Sequence, residues 1–373
     1  MSVTRRDFLG AAGAALALEL AGCAKPSAGP GTRVFAPGMT LRSAGESKGI
    51  LAGCAVNVKA LGDQPEYAAL VAQQAGILVA ENSMKFGPTQ PGPTEFNFHE
   101  ADELMAFAEK HQQKVRGHNF VWHRSLPAWF DKYVTPENAE HVLVDHIEQV
   151  GGRYAGRVHS WDVVNEAIRV EDKNPGGMRD TPWRKLMGDR YIDVAYRTAR
   201  RADPKALLTY NEYGIEGDDE GSKAKRIATL ELLRGMQKRG VPIDALGVQS
   251  HIGSRWGGST AGLDAFLDEV SRMGLKVFIT EMDVNDKAQP EAIPERDQAV
   301  GRVYSAYLNA VLAHPAVGAV LTWGITDRAT WLNSEEFGRA DKLPERPLPF
   351  DAELKPKPAF FAEYDALRQA PRR

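Results

Sequence analysis

The stretch HSWDVVNEAI, residues His159 to Ile168, decides how the rest of the chain is read. Trp161, Val163, Val164, Ala167 and Ile168 surround an Asp, an Asn and a Glu, with neither a helical nor a strictly alternating period. A run of that kind suits a strand covered on both faces, as in a parallel sheet flanked by helices. Its polar end, Asn165-Glu166, has two readings. One is a carboxylate beside the positive end of a following helix. The other is a group that exchanges a proton with a substrate.

Runs of the same character recur on both sides. They occupy 50–57, 76–83, 114–122, 158–166, 206–213, 245–252, 276–284 and 317–327. Helical patterns lie between them. In HEADELMAFAEKHQQ, the residues Ala101, Leu104, Met105 and Ala108 fall on one helix face. The stretches 64–75, 137–151, 191–202, 219–239, 261–273 and 294–313 have the length and amphipathy of further helices, and 358–369 supplies a last one. Eight strand-plus-helix units predict a single α/β domain, a (β/α)8 TIM barrel. A doubly wound open sheet is the alternative, but no glycine-rich dinucleotide fingerprint follows the first strand. A barrel places its active groups at the C-terminal ends of the strands. These runs end in Glu81-Asn82, His118 and Trp122, Asn165-Glu166, Asn211 and Tyr213, Gln249 and His251, Glu281 and Asp283, and Trp323.

The ends of the chain and its composition narrow the classes. The 373 residues are 43% hydrophobic and 25% charged with a formal net charge of −3. The body of the chain has no concentrated basic face, so nucleic acid is excluded as a partner. MSVTRRDFLGAAGAALALELAGC, at the start, has Arg5-Arg6 ahead of a short Ala/Leu-rich run and resembles a twin-arginine export signal over 1–22. Leu20-Ala21-Gly22-Cys23 resembles a lipobox, which makes Cys23 the expected lipid attachment point and the only expected contact with a membrane. A periplasmic or cell-surface location follows. Residues 23–45, rich in Pro, Gly, Ser and Ala, read as a flexible tether to a catalytic domain spanning 46–373. Cys54, in the apolar run ILAGCAV, reads as a small buried residue without a disulfide partner.

Two glutamates each follow an apolar strand directly: Glu166 after WDVVN and Glu281 after VFIT. Paired carboxylates at a barrel mouth suit glycoside hydrolysis, where one protonates the leaving oxygen and the other attacks the anomeric carbon or activates water. Trp323 and Trp331 stand where a sugar ring could stack, while Trp129 is expected in the core. Metal-assisted hydrolysis finds little support: His118 and His123 are five apart with no carboxylate arranged as in a zinc helix. No GxSxG elbow is present, and neither a cofactor nor a metal is expected.

Taken together, VAENSMKF, RGHNFVWH, WDVVNEAI, GVQSHI, FITEMDV and TWGITDRATW resemble glycoside hydrolase family 10, the endo-β-1,4-xylanases, in the family's order from about Gly49 to Leu367. The resemblance implies a retaining double displacement with Glu166 as acid/base and Glu281 as nucleophile. It further implies that Asn165 holds the sugar's 2-hydroxyl, that His251 and Asp283 orient the nucleophile, and that Gln249 sets the protonation of the acid/base. Glu81, Asn82 and Lys85 would grip sugars on the non-reducing side, with His118 and Trp122 beside the scissile bond. Trp323 would floor the cleavage subsite, Trp331 would cap it, and Tyr213 would meet the leaving side. The partners implied are xylan and xylo-oligosaccharides, acted on by a monomer. One departure stands out. The family's Asn-Asp-Tyr-Asn is Asn211-Glu212-Tyr213-Gly214 here, which is expected to affect leaving-side preferences and to leave the core chemistry alone. The alternatives are a barrel glycosidase acting on another β-1,4-glycan such as cellulose, and a lipid-anchored glycan-binding protein without activity.

Overall fold

The computed structural model describes residues 34–373, and a parallel barrel runs through them. Its strands are β1 (Leu51–Val56), β2 (Ile77–Ala80), β3 (Lys114–Val121), β4 (Ser160–Asn165), β5 (Leu207–Glu212) and β6 (Ala245–Val248), followed by the short β7 (His251–Gly253), β8 (Lys276–Asn285) and β9 (Val317–Thr322). Neighbours in sequence pair from β1 to β6, β6 pairs β8, β8 pairs β9, and β9 returns to β1, every pair parallel. β7 pairs β8 alone, at the mouth. Helices cover the outside at Pro65–Gln74, His99–Lys110, Ala139–Arg153, Arg190–Ala202, Glu220–Lys238, Ala261–Arg272, Ile293–Val311 and Pro358–Gln369. The expected (β/α)8 architecture is therefore present. Every residue of β4 is buried, which accounts for the missing alternation in HSWDVVNEAI.

Side-chain parity carries the chemistry to one end. Alternate residues of a strand face opposite sides, so those pointing into the barrel repeat every second position. Low in the lumen, Ile77, Val79, Ala245, Phe278, Ala319 and Leu321 form an apolar plug. Two positions beyond Val79 and Leu321 the same parity delivers Glu81 and Trp323 to the mouth. Register shifts interrupt β4 between Asp162 and Val164 and β8 between Ile279 and Met282. A bulge re-aims the side chains that follow it, and here the residues concerned are Asn165-Glu166 and Glu281.

The expected tether ends earlier than residue 45. Leu41–Glu46 form a helix whose first turn is capped by the Thr40 side chain accepting from the Ser43 amide, with Leu41, Ala44 and Gly45 buried. The Leu41 amide donates to Gln74 Oε1 at 3.0 Å, and Arg42 reaches the carbonyls of His111 and Gln112 at 2.9 Å each. A Ser/Gly-rich composition concealed a capped turn with one apolar face. Residues 1–33, with the expected export segment and Cys23, lie outside the described residues.

Cys54 is free and buried, and burial pushes its thiol pKa up, so it is an inert core residue. Nearby, Glu363 on the last helix is fully buried, and neither carboxyl oxygen has a hydrogen-bond partner among the described residues. Burial raises its pKa to about 8. The folded state therefore keeps a proton that the unfolded chain releases near its ordinary carboxyl value, so stability is lost as pH rises through this window. Glu363→Gln should leave the melting temperature nearly unchanged at pH 5 and raise it by several degrees at pH 9. Thermal scans across that range check this, and a gap independent of pH would contradict it.

Candidate active site

At the mouth, the ends of β4, β5, β6 and β8 converge on two carboxylates. Glu281 is 5% exposed and lies within a shell of donors. Asn211 Nδ2 donates to its Oε1 at 2.6 Å, His251 Nε2 lies 3.2 Å from its Oε2, and His118 Nδ1 stands 4.0 Å from Oε1. Burial alone would favour the neutral acid, but the hydrogen bond to His251 and the positions of His118 and Asn211 outweigh it and bring the pKa to about 2. His251 is held in turn by Asp283, with Nδ1 2.9 Å from Oδ1. Burial opposes its charge, yet Asp283 and Glu281 together hold its pKa well above the usual imidazole range. Trp331 Nε1 donates to the other Asp283 oxygen at 2.7 Å. A continuous chain thus runs Trp331, Asp283, His251, Glu281.

Glu166 has the opposite bias. Burial raises its pKa, and the charges of Glu212 and Glu281 raise it further, while the Trp122 side chain and the Gln249 amide, the latter 3.2 Å away, work against them. Its backbone is left-handed, with φ 57°. Asn165 joins the two glutamates: its Nδ2 lies 3.3 Å from Glu166 Oε1, and its Oδ1 accepts from Asn211 at 2.9 Å. The imidazole of His123 faces Glu166 with Nδ1 3.9 Å from Oε2, and burial first, then Arg179 and Arg124, lower its pKa to about 3.

The expected sugar-binding groups gather on one side. Lys85 Nζ donates to Asn82 Oδ1 at 3.1 Å and stands over the rings of Trp122 and Trp323 at 5.1 and 5.8 Å. Burial raises Glu81 to about 7, with Lys85 opposing. His118 meets the Trp323 ring edge-on at 5.3 Å and holds Asp162 at 2.9 Å. Trp129 packs half-buried against the core, in line with the expectation: its Nε1 donates to the Gln90 carbonyl at 3.0 Å, and its ring meets Phe86. Tyr213 is brought beside Glu166 by Arg179, which donates to the Tyr213 hydroxyl at 2.8 Å and to the Glu166 carbonyl at 2.7 Å.

At the departure, Glu212 keeps the carboxylate that the family's aspartate supplies. It is fully buried, and its charge is the second cause of the raised Glu166 pKa. Gly214 is the milder change, since its φ of 68° is a conformation that asparagine also tolerates.

Asn211, marked in the sequence only as a polar residue near a strand end and given no role there, supports the nucleophile. Its amide is fully used: the nitrogen serves Asn165 and Glu281, and the oxygen accepts from Thr280 at 2.8 Å and Arg116 at 3.4 Å. Gly247 makes room for it, since a Cβ there would lie 2.2 Å from Asn211 Oδ1. Asn211→Ala removes a donor from ionised Glu281, so the pKa of Glu281 rises. The acid limb of kcat/KM should move to higher pH, with a loss of roughly 10–100-fold. A pH–rate profile checks this, and an unmoved acid limb would remove Asn211 from the nucleophile's support.

Residues 40–366 match glycosyl hydrolase family 10. The chain is 33% identical over 318 residues to endo-1,4-beta-xylanase B of Thermotoga neapolitana, covering 84% of this chain and 86% of that protein. It is also 33% identical to endo-1,4-beta-xylanase C of Paenibacillus barcinonensis over 84% of this chain, but spans only 30% of that longer protein. Among solved structures, xylanase 10B of Thermotoga petrophila RKU-1 in complex with xylobiose is similar with a TM-score of 0.81 and 32% identity, over 90% of this chain and 99% of that one. With the barrel, its polar strand ends and a family match over most of its length, the chain belongs to glycosyl hydrolase family 10.

Proposed function

We propose that the chain is a retaining endo-1,4-β-xylanase that works as a monomer on internal linkages of xylan. The observation that carries this reading is the opposed bias of its two strand-end glutamates. The environment of Glu281 keeps it ionised, down to about 2, while that of Glu166 favours the proton. Two titratable groups pushed apart in this way take the roles of nucleophile and acid. Glu281 attacks the anomeric carbon while Glu166 protonates the departing glycosidic oxygen, giving a covalent glycosyl-enzyme. The negative charge of Glu281 is then consumed, the pKa of Glu166 falls, and Glu166 accepts a proton from the incoming water. Asn165 sits between the two carboxylates, where it can bond the sugar's 2-hydroxyl.

Glu81, Asn82 and Lys85 bind sugars on the non-reducing side, Trp323 floors the cleavage subsite and Tyr213 serves the leaving side. Xylose lacks the hydroxymethyl arm of glucose. Trp331, fixed by Asp283, and Lys85, fixed by Asn82, crowd the space such an arm needs, which favours xylan over cellulose. A glycan binder without activity finds no support, because both carboxylates and their partners are intact.

The test is product analysis with purified protein. Xylan should yield xylo-oligosaccharides with a rapid fall in viscosity and the β-anomer appearing first, and carboxymethyl cellulose should react far more slowly. Binding without release of reducing sugar would sink the reading.

The motifs TRRDFL and LAGC support export with lipid anchoring at Cys23 in the periplasm or at the cell surface. Cys23→Ser should move the protein from the membrane fraction to the soluble one, and an unchanged distribution would count against the anchor.

A further inference from the structure

Two residues of the mouth that are not glycine adopt left-handed backbone: Glu166 with φ 57° and Ser250, directly before His251, with φ 66°. Such turns cost about 1–3 kcal/mol each and persist only where their surroundings over-determine them. In this barrel one segment, the end of β5 and the residues after it, contributes a buried carboxylate to each set of restraints.

Around Glu166, every backbone group that the turn frees is taken. Its amide donates to the Asn211 carbonyl at 2.9 Å, and its carbonyl accepts from Arg179. The next two amides, of Ala167 and Ile168, donate to the Tyr210 hydroxyl and to Glu212 Oε2, each at 3.1 Å. Glu212 is itself saturated. Oε2 also accepts from the Tyr210 hydroxyl, and Oε1 accepts from the Tyr213 amide at 3.1 Å and Lys225 Nζ at 2.9 Å. On the nucleophile's side, the Ser250 amide donates to Glu216 Oε1 at 2.8 Å, and the Ser250 hydroxyl meets that of Tyr307 at 2.6 Å. Glu212 is fully buried with both oxygens taken, and Glu216 turns Oε1 to the Ser250 amide, so the two carboxylates serve the backbone of the mouth.

We propose that Glu212 and Glu216 are positioning residues, one fixing the turn that presents Glu166 and the other the turn that presents His251 to Glu281. The assignment rests on the retaining reading of the site. Glu212 has a second influence through its charge, which acts on Glu166 beside those of Glu281, Lys85 and Arg179, with Trp122, His123, Asn165 and Gln249 as the polar neighbours on the remaining sides.

The two carboxylates therefore fail differently. Acid assistance matters most when the leaving group is poor, whereas nucleophilic attack is needed for every substrate. The experiment compares kcat/KM of Glu212→Gln and Glu216→Gln on an aryl xylobioside with a dinitrophenolate leaving group and on one with a phenolate leaving group, across pH. Glu212→Gln should lose at least about tenfold on the phenyl substrate and no more than about threefold on the dinitrophenyl one. Its basic limb should move to lower pH, because a negative neighbour of Glu166 is gone and Lys225 is left unpaired. Glu216→Gln should lose a similar factor, at least about fivefold, on both substrates with its basic limb unmoved. The aspartate variants at each position should recover part of the loss. Tyr210→Phe and Ser250→Ala loosen the same turns without unpairing a buried charge, the second by removing the hydroxyl that meets Tyr307 while keeping the backbone strain, and should repeat the two leaving-group patterns where a glutamine variant fails to fold. Equal losses on both substrates for both variants, with no movement of either limb, would reduce the two carboxylates to general structural support and overturn the proposal. Wild-type protein inactive on both substrates would overturn the xylanase reading itself.

Discussion

Glu281→Ala should abolish turnover of xylan and of activated aryl xylobiosides alike, with a loss in kcat/KM of at least about 10⁴-fold. The loss is independent of the leaving group because attack on the anomeric carbon is required of every substrate. Asn211, His251 and His118 all serve Glu281, and its pKa near 2 is the summed result. Azide added to this variant should occupy the vacated side and give a glycosyl azide of inverted, α configuration. Proton NMR of the product distinguishes the outcomes. Residual hydrolysis above about one per cent of wild type, with configuration retained, would transfer the nucleophile's role to another residue.

Replacing Glu166 by alanine should divide the reaction instead of abolishing it. A dinitrophenyl xylobioside needs no protonation on departure, so a burst of dinitrophenolate should appear and then stall at the glycosyl-enzyme. On xylan, where the leaving group is an alcohol, the loss should reach about 10²–10⁴-fold. Azide should restart turnover and yield the β-azide. The pH profile supplies a further readout. Wild-type kcat/KM requires Glu281 ionised and Glu166 protonated, so activity rises above the low pKa of Glu281 and falls above the raised pKa of Glu166. In Glu166→Ala the basic limb should vanish on the dinitrophenyl substrate. If both alanine variants behaved alike, the division of roles between the glutamates would be wrong.

Much of this site was legible in the sequence for a physical reason. In a parallel barrel the strands are apolar until they leave the sheet, so a polar residue that ends such a run marks the mouth. Asn165-Glu166, Glu281 and Asp283 are visible on that ground alone. The N-terminal limit of the domain was misplaced because composition says little about a capped turn: Thr40 and Leu41 anchor a helix inside a stretch that otherwise reads as linker. Arg179 and Lys225 were not legible. Arg179 lies beyond the short turns that follow β4 and Lys225 on a helix of the outer layer, and each meets the site through a contact that no local period reveals. Glu212 was seen as a departure, yet its effect on Glu166 depends on its being buried without exposure to water, and burial of a strand-end carboxylate cannot be read from its neighbours in sequence.

The left-handed backbone at Glu166 has a consequence for how such an enzyme is maintained by selection. At φ 57° glycine is the residue that the backbone itself prefers, and a half-buried carboxylate is poorly favoured there. Glu166→Gly would relieve both penalties while removing the proton donor, so a screen for thermal resistance alone would drift towards an inactive protein. The chain retains at this position a residue that folding by itself would discard, and the difference in melting temperature between Glu166→Gly and wild type measures how much stability is held in reserve for catalysis.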